Sequence, residues 1–275
     1  MTLVQAVLLG IAGFGAGIIA GLVGVGGGVV FTPMLFAVYG IWDVPAGVRT
    51  PLTVGTGLFC TGLAAGTSAL HHYRRGGVAS RTALYVGAAS SAAVGLVSGF
   101  VVTQPWYDAT LFQLLFAAAL LVVVGRMGGP RTRDATPRMD PSTSPWGAWL
   151  GTGTAAGTVA AAVGVGGGVV LVPAYHWGLR LPMRRAVGTS SATIVLISTL
   201  SAVAYALLGS GVAGRPAFAL GYVDVGTGLL LAGPAVLGAQ GGAALTHRFS
   251  TRWLRWGFAL LAVVVAGRLV WGAIG

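Results

Sequence analysis

One stretch constrains this chain more than any other, because it occurs twice. Residues 23–30 read V-G-V-G-G-G-V-V with Pro33 three positions further on; residues 163–170 repeat those letters identically, with Pro173 in the same place. A glycine run inside an apolar segment tolerates backbone shapes that other residues resist, so it can break a membrane helix and uncover backbone amides. Proline has no N–H and is best tolerated close to a helix start, so a short new helix is expected just after each run. Its positive end would face the break. Two such helix starts, meeting near the midplane of a bilayer, make a site for a small anion by the logic of broken-helix secondary transporters. The competing account is that the glycines only let helices cross closely.

Composition decides the solvent. Of 275 residues, 55% are hydrophobic and 8% charged, with a mean hydropathy of +0.85, a balance that ordinary water-soluble domains do not have. The chain reads as an integral membrane protein, and its 47 glycines suit helices packed closely in lipid. All 16 basic residues are arginine, and the formal charge is +11. In a soluble protein that charge would suggest nucleic acid. Here the arginines fall between apolar segments, where they set topology, so no nucleic-acid partner is expected.

The single cysteine, Cys60, leaves no internal disulfide and no multi-cysteine metal centre. Neither glycine run continues into the G-K-[ST] of a P-loop, and no metal-ligand cluster is recognisable, so no metal or other cofactor is expected. No nucleophile stands at a recognisable spacing from a base, and the chain is not expected to be an enzyme. Residues 1–10 lack a basic region and lead straight into a long apolar segment, which reads as the first membrane segment rather than a cleaved leader.

Apolar stretches of helical length follow one another along the chain. Residues 3–23 are long enough to span, at ~1.5 Å per residue against a hydrocarbon core of ~30 Å. Residues 29–39 are too short to span alone; 50–70, rich in threonine (Thr50, Thr53, Thr56, Thr61), 82–102 and 111–124 complete the first half. From 126 to 145 the composition turns to Arg, Pro, Ser, Thr and Asp, the mark of a solvated linker. The second half then repeats the pattern with 146–163, a short 169–177, 188–208, 221–245 and 252–271.

Short cytoplasmic loops carry the arginine excess. If each glycine run merely kinks one continuous span, the halves lie parallel and the arginines divide almost evenly between the two sides. If each glycine-centred segment enters and returns on one side, the second half is inverted. The loops at 74–81, 126–138, 180–185 and 248–255 then share the cytoplasmic side, and only Arg49, Arg215 and Arg268 lie outside. Charge therefore favours an all-α polytopic membrane protein of two inverted repeats, about four membrane segments each, with both termini outside. Residues 1–125 form the first repeat, 126–145 the cytoplasmic linker and 146–275 the second repeat.

The paired G-x-G-G-G-x-x-x-x-P motifs, Gly24 to Pro33 and Gly164 to Pro173, resemble those of the sulfite exporter (TauE/SafE) family of membrane permeases. Two further features are similar: a Thr/Ser-rich start to the long helix after each break (Thr50; Thr189, Ser190, Ser191), and an aromatic-to-glycine turn after it (Tyr73 to Gly77; Tyr205 to Gly211). The first half departs in having Pro51 and Leu52 where the second has Ser190 and Ser191. The resemblance implies a secondary transporter, usually an exporter, of sulfite, organosulfonates or related sulfur oxyanions across the cytoplasmic membrane.

On this reading a small sulfur-containing anion is held by the amides of Gly26, Gly27 and Gly28 and of Gly166, Gly167 and Gly168, with the hydroxyls of Thr50, Thr189, Ser190 and Ser191. Serine and threonine also cap helices and bond their own backbone, so the hydroxyls admit a structural account. Arg49, directly before Thr50, is a candidate gate or a solvated loop charge. Gln240, among Gly238, Gly241 and Gly242, is a second gating candidate, with interhelical hydrogen bonding as the alternative. His71 and His72 sit beside Arg74 and Arg75, where they either couple flux to protons or anchor the boundary. A channel-like anion pathway, and a membrane-embedded enzyme or binding subunit acting on a sulfur compound, remain the other classes. The inverted topology predicts that reporters fused after Asp134 and after Pro182 both report cytoplasm; opposite sides would return the halves to a parallel arrangement.

Overall fold

The structure is a computed structural model that describes residues 3–23, 26–102, 104, 106–127, 146–245, 263–264 and 266–271. Nearly everything described is helical: α1 (Leu3–Val23), α2 (Gly28–Ile41), α3 (Ala46–Arg74), α4 (Ser80–Val97), α5 (Ala109–Met127), α6 (Trp146–Val163), α7 (Gly168–Pro173), α8 (Met183–Leu208) and α9 (Val225–Leu245). A π-helical turn, Ser98–Val102, extends α4, and another, Ala174–Gly178, extends α7. A two-residue antiparallel ribbon, β1 (Ala219–Leu220) with β2 (Val223–Asp224), leads into α9. Most of the expected linker, residues 128–145, and most of the expected last segment lie outside the described residues; 266–271 are helical.

The burial pattern is that of a protein whose solvent is lipid. Leu8, Ile11, Leu96, Phe100, Leu207 and Leu237 are exposed on the outside, while threonines and serines of α3 and α8 are buried. Among the described residues, two helical stretches, Ser80–Val102 and Arg185–Leu208, are both long and apolar enough to cross a membrane by length and composition.

The helix boundaries correct three expectations. Each short helix starts inside its glycine run rather than after it: Gly27 (φ 79°) and Gly167 (φ 74°) cap α2 and α7 in the left-handed conformation, which glycine adopts without a Cβ penalty. The carbonyl of Gly27 accepts from the amides of Val30 and Phe31 at 2.9 and 3.0 Å, and that of Gly167 from Val170 and Leu171 at the same distances. Pro33 and Pro173 therefore sit in the second turn. Helix α2 runs through its proline, whereas the second copy widens into the π turn directly after Pro173, where the missing N–H has already removed one helical bond. Thr50 and Thr189 also do not open their helices. Those begin at Ala46 and Met183 behind Pro45 (φ −51°, ψ 137°) and Pro182 (φ −53°, ψ 141°).

Glycines set the helix contacts. A Cβ at Gly13 or Gly17 of α1 would strike the backbone carbonyls of Leu231 and Ala235 of α9, and one at Gly238 or Gly242 would strike Phe14 and Ile18 in return. On the other side of the molecule Gly153 and Gly157 of α6 meet the backbone of Val86 and Ser90 of α4 in the same way. In both pairs the helices run side by side in one direction, at the backbone contact that small residues four apart allow in lipid. Between them α3 crosses α8 antiparallel: Gly55 lies against Tyr205, Gly62 against Ser198, and Ser68 Oγ is 3.2 Å from Ser191 Oγ.

Polar groups buried by this packing are tied off. Near the C-terminus of α6, Tyr205 Oη donates to the Ala161 carbonyl at 3.0 Å and Tyr107 Oη to that of Ala162 at 2.5 Å, serving acceptors that a helix end leaves without partners. Buried Asp224 caps α9: Oδ1 accepts from the Thr227 amide at 3.1 Å, and Oδ2 from Thr227 Oγ1 at 2.6 Å and Tyr39 Oη at 3.3 Å. Its own amide donates to Thr56 Oγ1 at 2.9 Å. A carboxylate at a helix N-terminus is also favoured by the helix dipole. If backbone contact holds α1 to α9, Gly17→Ala lowers thermal stability in detergent by about 1–3 kcal/mol, as overpacking does. Gly15→Ala, whose Cβ meets nothing within 4 Å, leaves it unchanged or raises it; equal behaviour of the two variants would remove the contact as a constraint.

Candidate functional site

The two glycine runs meet. A Cβ at Gly28 would lie 2.7 Å from the Cα of Val165 and 2.8 Å from Thr61 Oγ1, so the corner before α2 touches the corner before α7 through bare backbone. Thr61 and Ile194 are shared by both corners. A Cβ at Gly26 would sit 3.0 Å from Thr61 Cγ2 and 3.2 Å from Ile194 Cγ2; one at Gly166 would sit 2.7 Å and 3.2 Å from the same atoms, and 3.3 Å from Ser198 Oγ. Thr32 of α2 reaches across the junction and donates from Oγ1 to the Gly164 carbonyl at 2.9 Å, while Gly57 of α3 makes room for that threonine. Every group that crowds these glycines is neutral. The arrangement brings two helix starts, each with first-turn amides that lack intrahelical acceptors, against hydroxyls in a buried setting.

The expected site residues divide. Gly26, Gly27, Gly28, Gly166, Gly167 and Gly168 are all buried at the junction. Of the four expected hydroxyls, Thr50 and Ser190 are buried with no hydrogen-bond partner. The other two are engaged: Thr189 Oγ1 accepts from the Ala79 amide at 2.9 Å and so holds the start of α4, and Ser191 Oγ donates to the Val187 carbonyl at 3.0 Å. Thr50 lies three helical turns from Thr61, roughly 16 Å along α3, and is not at the glycine corners. Arg49 donates from Nε and Nη2 to the Val44 carbonyl at 3.3 and 3.2 Å and lies 6.0 Å over the Phe36 ring, which pins it to the turn between α2 and α3. Gln240 is exposed on α9, on the side away from Gly238 and Gly242. His72 packs against Gly77 and Gly188 at the end of α3.

The register between the halves also differs from the expected one of Thr50 with Thr189. Asp43 (φ 51°) and Arg180 (φ 52°) make the same left-handed turn, Pro45 and Pro182 cap the helices that follow, and Tyr39 Oη reaches Thr56 Oγ1 (3.3 Å) as Tyr175 Oη reaches Thr193 Oγ1 (2.8 Å). That register matches Thr53, rather than Pro51, with Ser190, and Thr61 with Ser198. Thr50 and Thr189 match in residue type alone; the proline caps and the turns before them set the register. Thr61, Ser198, Thr32 and Ile194 are the junction residues that sequence reasoning did not assign to the site.

Over residues 9–269, nearly its whole length, the sequence matches the family described as sulfite exporter TauE/SafE. The chain belongs to that family. It is 27% identical to a "Probable membrane transporter protein" of Methanocaldococcus jannaschii over 90% of this chain and 89% of the relative. A protein of the same description from Haemophilus influenzae is 25% identical over 91% and 92% of the two chains, and one from Bacillus subtilis 23% identical over 98% of each. No solved structure matches the chain. This TauE/SafE protein is thus a membrane transporter, with the helical architecture described above. If Thr32 ties the two corners together, Thr32→Val, which keeps the volume and removes the donor, lowers thermal stability by about 1–3 kcal/mol. An unchanged melting temperature would show that the corners hold without it.

Proposed function

We propose that this chain is a secondary carrier that exports sulfite or a related sulfur oxyanion, built from two inverted repeats whose glycine corners form the anion site. The observation that carries the reading is the meeting of Gly26–Gly28 with Gly166–Gly168 among neutral hydroxyls. Sulfite offers three acceptor oxygens on a pyramidal centre, suited to amides and hydroxyls that converge from two sides. In this reading the cytoplasmic arginines attract the anion, the amides of the two corners hold it with nearby hydroxyls, and it leaves when one repeat moves against the other. A membrane potential negative inside favours the outward step by ~2.3 kcal/mol per charge per 100 mV, so no nucleotide is required.

The inverted arrangement, with residues 1–125 and 146–275 as the repeats and 126–145 as the cytoplasmic linker, draws support from the recurrences between the halves. Helices α3 and α8 share the proline cap, the left-handed turn before it and the tyrosine-to-threonine bond, yet run antiparallel where they cross. Equivalent helices related by an axis along the membrane normal would run parallel. An axis in the membrane plane turns one against the other.

The test is sulfite flux into proteoliposomes of the purified protein, with sulfate and taurine as competitors and with and without a pH gradient. Saturable flux driven by membrane potential is expected. Flux that rises linearly with sulfite favours an anion channel of the same fold, and no sulfite flux under any gradient overturns sulfite as the substrate.

A further inference from the structure

Five fully buried hydroxyls on the crossing helices have no hydrogen-bond partner: Thr50, Thr53 and Thr61 on α3, Ser190 and Ser198 on α8. An unmet buried hydroxyl costs about 1–3 kcal/mol, and such groups in a native structure call for an explanation. Four of them fall in two pairs. In the register fixed by the proline caps and the tyrosine-to-threonine bonds, Thr53 corresponds to Ser190 and Thr61 to Ser198, so these two stations are unpaired in each half, whereas Thr50 matches Val187 and has no counterpart.

The crossing places them in order. Because α3 and α8 run antiparallel with Gly62 against Ser198, Thr61 and Ser198 lie opposite one another at the middle of the crossing. Thr61 Oγ1 faces Gly28 and Ser198 Oγ faces Gly166, so one hydroxyl borders each glycine corner. Thr53 and Ser190 lie two helical turns away along their own helices, roughly 12 Å, towards opposite ends of the crossing. Thr56 and Thr193, on the same helices, are engaged by Tyr39 and Tyr175, so the lack of partners is selective.

We propose that Thr61 and Ser198 are the side-chain donors that coordinate the transported oxyanion between the glycine corners, with Thr53 and Ser190 the next donors along its path towards the two faces. The assignment rests on the transporter reading above and goes beyond it in naming the donors. The ligand class is a small anion with several acceptor oxygens and no need of a cationic partner. A site whose two hydroxyls are equivalent by the internal register presents the same donors to an ion arriving from either face.

The test compares variants of the full chain in proteoliposomes and, for equilibrium binding of sulfite, in detergent. Thr61→Val and Ser198→Ala each raise the half-saturating sulfite concentration about tenfold, as the loss of one hydrogen bond to a charged acceptor does, and Thr61→Ser restores it. Thr53→Val and Ser190→Ala slow flux while leaving equilibrium binding near that of the wild type. A monodisperse Thr61→Val or Ser198→Ala protein that transports with unchanged half-saturation overturns the assignment. Wild-type flux with unaffected variants overturns the donor assignment alone. A wild-type protein that carries neither sulfite, sulfate nor taurine overturns the transport reading, and the assignment with it.

Discussion

The contact between the two glycine corners is the constraint on which the rest of the molecule depends. Gly28 lies against the backbone of Val165 at a separation that any side chain would prevent, so two chain breaks far apart in sequence are held in one place. Backbone that leaves a helix inside a membrane is tolerated only when protein surrounds it, and the surrounding helices meet that demand. Tyr205 and Tyr107 serve the last carbonyls of α6, Thr32 serves the carbonyl of Gly164, and the carbonyls of Gly27 and Gly167 accept the first helical amides. Thr61 and Ser198, which border the two corners, have no hydrogen-bond partner there. In the proposed reading those hydroxyls and the first-turn amides are the donors offered to an anion.

The outer helices make the contact possible by the same device at larger scale. Lipid chains are as apolar as leucine, so helices in a bilayer gain little from burying apolar surface against each other and must gain from close packing. Gly13 and Gly17 against α9, and Gly153 and Gly157 against α4, supply that packing on opposite sides of the crossing of α3 and α8. The long helices α1 and α6, which lead into the two breaks, are thereby anchored to helices of the other half. The breaks cannot drift apart without separating a glycine seam.

Much of this was legible in the chain. The duplicated glycine run, its two short helices and the exact span of α6 follow from periodicity and from glycine chemistry. The errors have physical causes. Proline is best tolerated at a helix start, but a glycine in the left-handed conformation opens each helix earlier and leaves the proline to the second turn. Residue type pairs Thr50 with Thr189, but the turns formed by Asp43 and Arg180 and the caps at Pro45 and Pro182 fix another register. The polarity of Gln240 amid glycines does not reveal its face: helical phase puts Gly238 on the packed side and Gln240 on the exposed one. Which threonine of a threonine-rich helix lies at a crossing depends on the helix across from it, and one sequence does not show that partner.

The charge distribution suits a protein that must release what it binds. An arginine buried beside an anion would gain several kilocalories per mole from the low dielectric and would hold the ion on both strokes of a transport cycle. At the corners the neighbouring groups are neutral, and Arg49 is engaged at the turn between α2 and α3. The buried carboxyl, Asp224, is committed to the start of α9 and held by three donors, where the helix dipole offsets its charge. Backbone dipoles and hydroxyls are fixed in place and carry only partial charges, so they compensate an anion for lost water without making its departure prohibitive. If the proposed site is right, weak neutral donors at the junction would hold an anion and still let it go, as turnover requires.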